Sequence, residues 1–409
     1  MRRLDPALLV VLGGISAALH VGKLPPALPA LRDALGVTLL QAGFLLSLVQ
    51  LAGMTLGLPV GLAADSLGLK RTMVGGLVIL SAASLLGGWA HEPQTLMLLR
   101  AVEGLGFLLA AMPAPSLIRR LVDPARMSTT LGLWGAYMPF GTALALLCGP
   151  LLIVWLGWQG WWWLLGTASS SMALWLWLAL PSDDAHAHVR SGAAQGWFER
   201  LLGTLSSPGP WLVALSFAVY SSQWLAVIGF LPSMYAQAGL SAAVAGPATA
   251  LAAAVNMGGN IASGRLLQRG LRPQRLLYLG FAVMGVGGVV AFAPISDAID
   301  GQFVAALRYA AVLMFSLVGG LIPGTLFSLA VRLAPGERTI STTVGWMQQW
   351  SALGQFAGPP LVAWVATRAG GWQMSWVVTG SCAVAGLGLA GCIGGLLRLS
   401  HQQKSRAPT

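Results

Sequence analysis

The sequence GLAADSLGLKR, residues 61–71, joins two long apolar runs. Gly61 lets two helices approach each other closely, and Gly68 permits a tight turn. The carboxylate of Asp65 can pair with a basic group or face the N-terminus of another helix. Lys70 and Arg71 end the loop with two positive charges. A short basic turn between apolar runs is typical of a loop that joins two membrane-spanning helices.

The composition of the whole chain supports this interpretation. Of its 409 residues, 56% are hydrophobic and 9% are charged, and the mean hydropathy is +0.74. An ordinary soluble domain has about 25% charged residues. The apolar runs are continuous over about 20 residues and do not alternate with polar residues, so they fit helices rather than the strands of a membrane barrel. The composition therefore excludes a water-soluble fold and predicts an all-α polytopic membrane protein.

Apolar runs bounded by charge, Pro or Gly predict twelve transmembrane helices. They lie near residues 7–31, 41–63, 72–90, 95–117, 130–155, 159–180, 210–234, 241–263, 275–294, 303–331, 341–366 and 373–397. An even number of spans puts both termini on the same side of the membrane. The termini and the loops on that side carry 18 of the 23 Lys and Arg residues, which predicts that both termini are cytoplasmic. Because the excess positive charge is scattered among these loops, we expect no nucleic-acid partner.

The longest polar segment follows the sixth predicted span and divides the chain in half. We predict an N-terminal six-helix bundle at 1–181, a cytoplasmic linker at 182–209 and a C-terminal six-helix bundle at 210–409. Within the linker, residues 196–202 fit either a short amphipathic helix on the membrane surface or a solvated loop.

An internal repeat relates the two halves. Pro29 and Pro232 are 203 positions apart, as are Gly36 and Gly239, and Gly-Trp-Gln occurs both at 157–159 and at 371–373. Six spans return the chain to its starting side, so the two repeats are parallel and related by an axis along the membrane normal. The pattern predicts two pseudo-symmetric bundles.

The loop at 61–71 resembles the signature loop of the major facilitator superfamily. A second motif of that family, an Arg followed by Gly-x-Gly in the fourth span, is matched by Arg100 and Gly104-Leu105-Gly106, with Glu103 where a Gln is often found. The resemblance implies that the chain transports a small solute by alternating access, along a path between the halves that is lined chiefly by spans one, four, seven and ten. It also implies a gating role for the loop; its second-half counterpart has Gln268 in place of Asp65, so a charge latch there is weaker or absent.

The first span carries two candidate residues for substrate or proton coupling. His20 and Lys23 are three positions apart and share a helix face. Lys23 can hold an anion, and His20 can change protonation near neutral pH. The alternative is that Lys23 extends to the outer interface beside Pro25 and Pro26.

The fourth span carries Arg100 and Glu103, also three positions apart. An ionisable group inside a span costs at least about 2.5–3.5 kcal/mol on insertion scales, so we expect these two to pair. Protonation of Glu103 would release Arg100 for another partner, which suits a proton-coupled switch; a purely structural pair is the alternative. Arg308 matches Arg100 in the second half, where anchoring at the membrane interface is favoured over coupling.

Polar side chains near span centres form a third set of candidates: Gln50, Tyr137, Tyr220, Gln223, Asn256, Asn260, Gln348, Gln349 and Gln355. Each can instead hydrogen-bond a neighbouring helix, worth about 0.6 kcal/mol on average. Tyr220 and Gln223 rank first, because the family resemblance implies that span seven lines the cavity.

These observations predict a secondary transporter of the bacterial inner membrane, working as a monomer, coupled to protons, with a small organic anion as the favoured solute. The first alternative is a proton-driven antiporter that exports drug-like or siderophore-like compounds, and the second is a transporter-like sensor or a membrane enzyme. No phosphate-binding loop, catalytic triad or metal-binding spacing occurs in the sequence, so we expect no enzyme activity, cofactor or metal.

Overall fold

The computed structural model describes residues 5–123, 130, 133–183, 197–294 and 301–406. Within these ranges, only the backbone is described for residues 61–67, 197, 242, 338 and 400–406. The described residues form α-helices and short 3-10 turns, with no strand in these ranges. The helices are α1 Pro6–Gly22, α2 Leu24–Leu35, α3 Leu39–Ser47, α4 Leu51–Leu67, α5 Leu69–Gly87, α6 Pro93–Ala111, α7 Ala114–Leu121, α8 Tyr137–Ala179, α9 Trp197–Leu205, α10 Pro208–Gln237, α11 Ala242–Gln268, α12 Pro273–Phe292, α13 Gly301–Gly319, α14 Leu321–Leu333, α15 Ile340–Ala369 and α16 Ser375–Arg406.

Twelve long helical segments span the described part of the chain. Nine helical stretches among the described residues are both long and apolar enough to cross a bilayer, and four of these nine join two consecutive α-helices, as α1 and α2 do. One of the nine, α8, contains two spans, because Gly157 has a non-helical backbone with φ of 70°. Helices α11 and α15, with 27 and 30 residues, complete the twelve. The predicted all-α polytopic fold is confirmed.

A break in the first span positions Lys23. Helix α1 ends at Gly22 and α2 begins at Leu24, immediately before Pro25 and Pro26. Proline has no backbone N–H to continue the hydrogen-bond ladder, so helices break or bend where it enters. The carbonyl of Lys23 also accepts a hydrogen bond from Nε1 of Trp161 at 3.1 Å. Lys23 therefore lies at a break inside the apolar bundle.

The chain divides into two compact units. The first contains residues 1–193 and 226–254, and the second contains 194–225 and 255–409. In the first unit, α1 packs along α8, and α5 packs against both α6 and α8. Its core includes Met73, Leu77, Leu80 and Leu176, all buried.

In the second unit, α12 packs against α13 and α16. Trp211, Trp346 and Trp350 form an aromatic cluster there, with ring centroids 4.9–5.8 Å apart. The helix α9 occupies 197–205, so that part of the predicted linker is helical rather than an open loop. Its position on the membrane surface, like the division at 182–209, stays a prediction.

Candidate functional site

The candidate site of the first unit depends on a close approach of two helices. A methyl group added at Gly76 of α5 would overlap the backbone of Gly106 and Ala110 of α6. One added at Gly106 would overlap the backbone of Leu80 in the same way. Small residues at such crossings let helix backbones touch, which is the usual basis of helix association in membranes. The crossing lies one turn from Glu103 and brings Ser84 of α5 to the same site.

Lys23 is at the centre of a buried polar cluster. Its ammonium donates to Oε1 of Glu103, to Oγ of Ser84 at 2.9 Å and to Nδ1 of His20 at 3.3 Å. It also lies 4.5 Å from the ring centroid of Trp162, in a cation–π contact. The side chain of Lys23 is 0% exposed, so it does not extend to the outer interface. All three donors of the ammonium have partners.

His20 connects this ammonium to a row of hydroxyl groups. Lysine can only donate, so Nδ1 of His20 accepts and Nε2 carries the proton of the neutral ring. Nε2 then donates to Oγ of Ser169, 2.9 Å away, and that hydroxyl is 3.0 Å from Oγ of Ser16. A change of protonation at His20 would remove its acceptor and oppose Lys23 with a second positive charge.

Arg100 completes the cluster. Its Nη1 donates to Oε2 of Glu103 and to the backbone carbonyl of His20 at 2.9 Å, and its Nε donates to the carbonyl of Leu45 at 3.2 Å. Its Nη2 is buried and has no hydrogen-bond partner among the described residues. The guanidinium therefore keeps both N–H groups of Nη2 available inside the bundle.

The charges of this cluster do not balance. Lys23 and Arg100 each form an ion pair with one oxygen of Glu103, and all three side chains are at most 1% exposed. With neutral His20, two cations face one carboxylate. Burying a charge is costly unless it is paired, so the excess of positive charge makes this cluster the candidate functional site of the first unit.

The second unit contains a neutral polar network. Tyr220 of α10 donates to Oδ1 of Asn256 at 3.3 Å, and Nδ2 of Asn256 donates to the carbonyl of Ser316 at 2.8 Å. Nε1 of Trp224 donates to Oγ of Ser316 at 3.1 Å. The network ties α10, α11 and α13 together through hydrogen bonds without a charged group.

Gln223 is separate from this network. Its side chain is 0% exposed, and both its amide oxygen and its amide nitrogen lack hydrogen-bond partners in the part of the chain that the structure describes. A buried amide without partners costs roughly 1–3 kcal/mol. Gln223 thus combines a donor and an acceptor that nothing in its own unit satisfies.

Arg308 is not connected to these residues. Its Nη2 donates to the carbonyl of Ala293, the residue that follows α12, at 3.2 Å, and its side chain is half-buried. None of its described contacts reaches Tyr220 or Gln223. This arrangement fits the anchoring interpretation better than the coupling interpretation.

The signature loop is held by hydrogen bonds to Asp183, a residue of the predicted linker. The carboxylate of Asp183 accepts from the backbone N–H groups of Lys70 and Arg71, each at 3.1 Å. Nζ of Lys70 donates to the carbonyl of Leu180 at 2.6 Å. Gly68 has φ of 94°, and a methyl group there would overlap the Asp183 side chain. Asp183 therefore caps the first turn of α5.

Two other residues of this loop lie outside the described side chains. Gly61 and Asp65 belong to the last turns of α4, where only the backbone is described. The gating role of Asp65 stays a prediction. No signal in the sequence pointed to Asp183, because its partners are 112 and 113 positions away.

Comparison with known proteins identifies the family. Residues 10–359 match the Major Facilitator Superfamily. The chain belongs to that superfamily. Its members are transporters rather than enzymes, and the long apolar helices of the chain fit an integral membrane protein.

Three curated relatives show how varied the solutes of similar proteins are. The inner membrane transport protein YajR of Escherichia coli (strain K12) is 29% identical over 46% of this chain and 40% of its own length. The puromycin resistance protein pur8 of Streptomyces alboniger is 35% identical over 32% of this chain and 27% of its own. The cyanate transport protein CynX of Escherichia coli (strain K12) is 23% identical over 60% and 62%. The chain thus spans less than two thirds of the length of each.

A solved structure shares the fold across nearly the whole chain. A bacterial homologue of the human lysosomal transporter Spinster, in an inward-facing and occupied conformation, superposes with a TM-score of 0.79 at 16% identity. The match covers 95% of this chain and 96% of the other.

Proposed function

We propose that this protein is a proton-coupled secondary transporter that moves a small organic anion across the bacterial inner membrane by alternating access. The observation that carries the proposal is the buried cluster of Lys23, Arg100 and Glu103, in which two cations share one carboxylate. An intramembrane ionisable cluster of this kind usually marks a substrate path or a proton relay.

The net charge of the buried cluster supports coupling between proton uptake and anion binding. Protonation of Glu103 removes the only anion of the cluster and leaves Lys23 and Arg100 with two positive charges. A monoanion bound at the same time restores the original net charge, so entry of one proton with one anion adds no buried charge. Protonation alone adds a buried positive charge to the cluster, and that charge attracts the anion more strongly, so the two binding events favour each other.

Each residue of the cluster has a distinct role in this proposal. Glu103 takes up the proton, Lys23 and Arg100 hold the anion once they are released, and His20 orients Lys23 through Nδ1 while Ser169 fixes the His20 ring. Both termini are cytoplasmic, and a monomer in the lipid bilayer is sufficient because one chain carries both helix sets.

A proton-driven efflux antiporter is the second candidate. It is favoured by the similarity to a puromycin resistance protein over about a third of the chain. In that case Glu103 exchanges its proton against an exported amphiphile, and Lys23 acts only as its counter-ion.

Transport in liposomes distinguishes the two candidates. Purified protein is reconstituted around a pH-sensitive dye and challenged with pooled organic anions or with cationic amphiphiles. We compare wild type with Lys23→Ala and Glu103→Gln, and with Arg332→Gln as a control that removes an exposed cation elsewhere. Proton movement driven by anions, lost in both cluster variants and kept in the control, supports anion transport. A response to amphiphiles alone that survives Lys23→Ala supports efflux and rejects the anion proposal.

A further inference from the structure

A groove follows one face of α11 toward the end of that helix. It has a volume of about 460 Å³ and is lined by Gly258, Ile261, Ala262, Arg265, Leu266 and Arg269. Its lining residues recur at helical spacing, so they form a single stripe. The stripe begins with small and apolar residues, with Ile261 54% exposed, and ends with two exposed arginines one turn apart.

The arginines of this groove have no acidic partner among the described residues. No Asp or Glu occurs in the sequence between Glu199 and Asp297. Within the described part of the chain, the side chains of Arg265 and Arg269 form neither an ion pair nor a hydrogen bond. The same is true of Arg272, which directly precedes α12, and of Arg275 in the first turn of that helix. Topology alone requires positive charge in this loop, but it does not require an apolar groove that leads to it.

We propose that the groove binds an anionic phospholipid, with its phosphodiester on Arg265 and Arg269 and the upper part of one acyl chain along Ile261 and Leu266. The charge distribution predicts that this end of α11 faces the cytoplasm. Guanidinium groups bind phosphate oxygens in a bidentate manner, and basic sites next to apolar surface at the membrane interface recognise anionic headgroups.

The apolar half of the groove favours a lipid over a free anion. A soluble phosphate or carboxylate needs only the two guanidinium groups and gains nothing from Ile261 or Leu266. A phospholipid satisfies both halves at once, since its charged headgroup lies at the interface and its acyl chain extends into the hydrocarbon. The groove lies on an exposed face of α11.

Native mass spectrometry of delipidated protein in detergent tests the proposal. The probe is phosphatidylglycerol, titrated against phosphatidylcholine with the same acyl chains. The test variant is Arg265→Gln with Arg269→Gln. The matched control is Arg272→Gln with Arg275→Gln, which removes the same charge close to the groove in sequence but leaves its lining residues unchanged.

We expect wild type to bind phosphatidylglycerol preferentially. Loss of two cations near an anionic lipid should weaken binding roughly tenfold to thirtyfold in the groove variant, and much less in the control. Equal losses of phosphatidylglycerol affinity in both variants would show that only the overall positive charge matters, and would overturn the proposal. A wild-type protein that does not prefer phosphatidylglycerol to phosphatidylcholine would also overturn it. Displacement by inorganic phosphate would show a site for small anions and would also overturn it. If the double variant aggregates, the Arg269→Gln single variant answers the same question with a smaller expected loss.

Discussion

Lys23 donates to Glu103 across 80 positions of sequence, and this contact joins the first span to the fourth. Glu103 is held on its other oxygen by Arg100, its neighbour on α6. The carboxylate is therefore the only negative charge that offsets two cations in a part of the bundle where every side chain of the cluster is buried. Its removal should affect both stability and transport.

Glu103→Gln should destabilise the protein strongly. The substitution keeps the shape of the side chain but leaves Lys23 and Arg100 buried without an anion, and breaking a buried ion pair costs about 3–5 kcal/mol. We expect a clear drop in the thermal midpoint, measured in detergent by tryptophan fluorescence. Lys23→Met combined with Glu103→Gln removes one cation as well and should recover much of the loss. A double variant no more stable than Glu103→Gln would contradict this electrostatic account.

The fold could be predicted from the sequence because a bilayer restricts the possibilities. Apolar runs of about 20 residues that cross a bilayer fit helices, and the distribution of Lys and Arg predicts which side of the membrane each loop faces. The pairing of Arg100 with Glu103 was also predictable, since residues three apart on a helix are neighbours. The contact of Glu103 with Lys23 depends on how separate helices pack. Periodicity within one helix contains no information about it.

The same reason explains why Asp183 and Ser169 were missed. Ser169 is one of several small polar residues in an apolar run, and only its position 2.9 Å from His20 distinguishes it. Asp183 looked like one charge among several after the sixth span. Lys23 at a helix break was equally ambiguous, because a lysine near prolines can extend to the interface or turn inward.

Asp183→Ala should loosen the start of α5. Its carboxylate satisfies two backbone N–H groups that have no partner within the helix, and loss of such a cap costs about 0.5–2 kcal/mol. We expect faster hydrogen exchange at Lys70 and Arg71 with the rest of the first unit unchanged. Asp33→Ala, which removes an exposed carboxylate near the end of α2, is the control. If exchange at Lys70 and Arg71 does not change, the cap contributes nothing.

Tyr220→Phe should weaken the second unit modestly. The hydroxyl donates to Asn256 and also accepts a hydrogen bond from its Nδ2 at 3.0 Å, so its removal leaves a buried amide incompletely bonded. A loss of about 1–2 kcal/mol is expected from such a change. Thermal unfolding measures it, and Tyr309→Phe, outside this network, serves as the control. Equal effects of the two substitutions would mean that the network has no special role.

Gln223→Leu should affect the stability of the protein and its rate of transport in opposite directions. Leucine is similar in size and leaves no buried donor or acceptor unsatisfied, so the variant should be at least as stable as wild type, by up to about 1–3 kcal/mol. If the amide of Gln223 binds the solute or a partner in another state, the same variant should transport more slowly. Groups kept for function at a cost in stability behave in this way.

The thermal midpoint and the initial rate of uptake in liposomes are measured on one preparation. Gln223→Glu is the polar comparison and should be less stable than both, because it buries an unpaired carboxyl group. A Gln223→Leu variant that unfolds earlier than wild type would show that the amide has a structural partner, and unchanged uptake would remove Gln223 from the transport path.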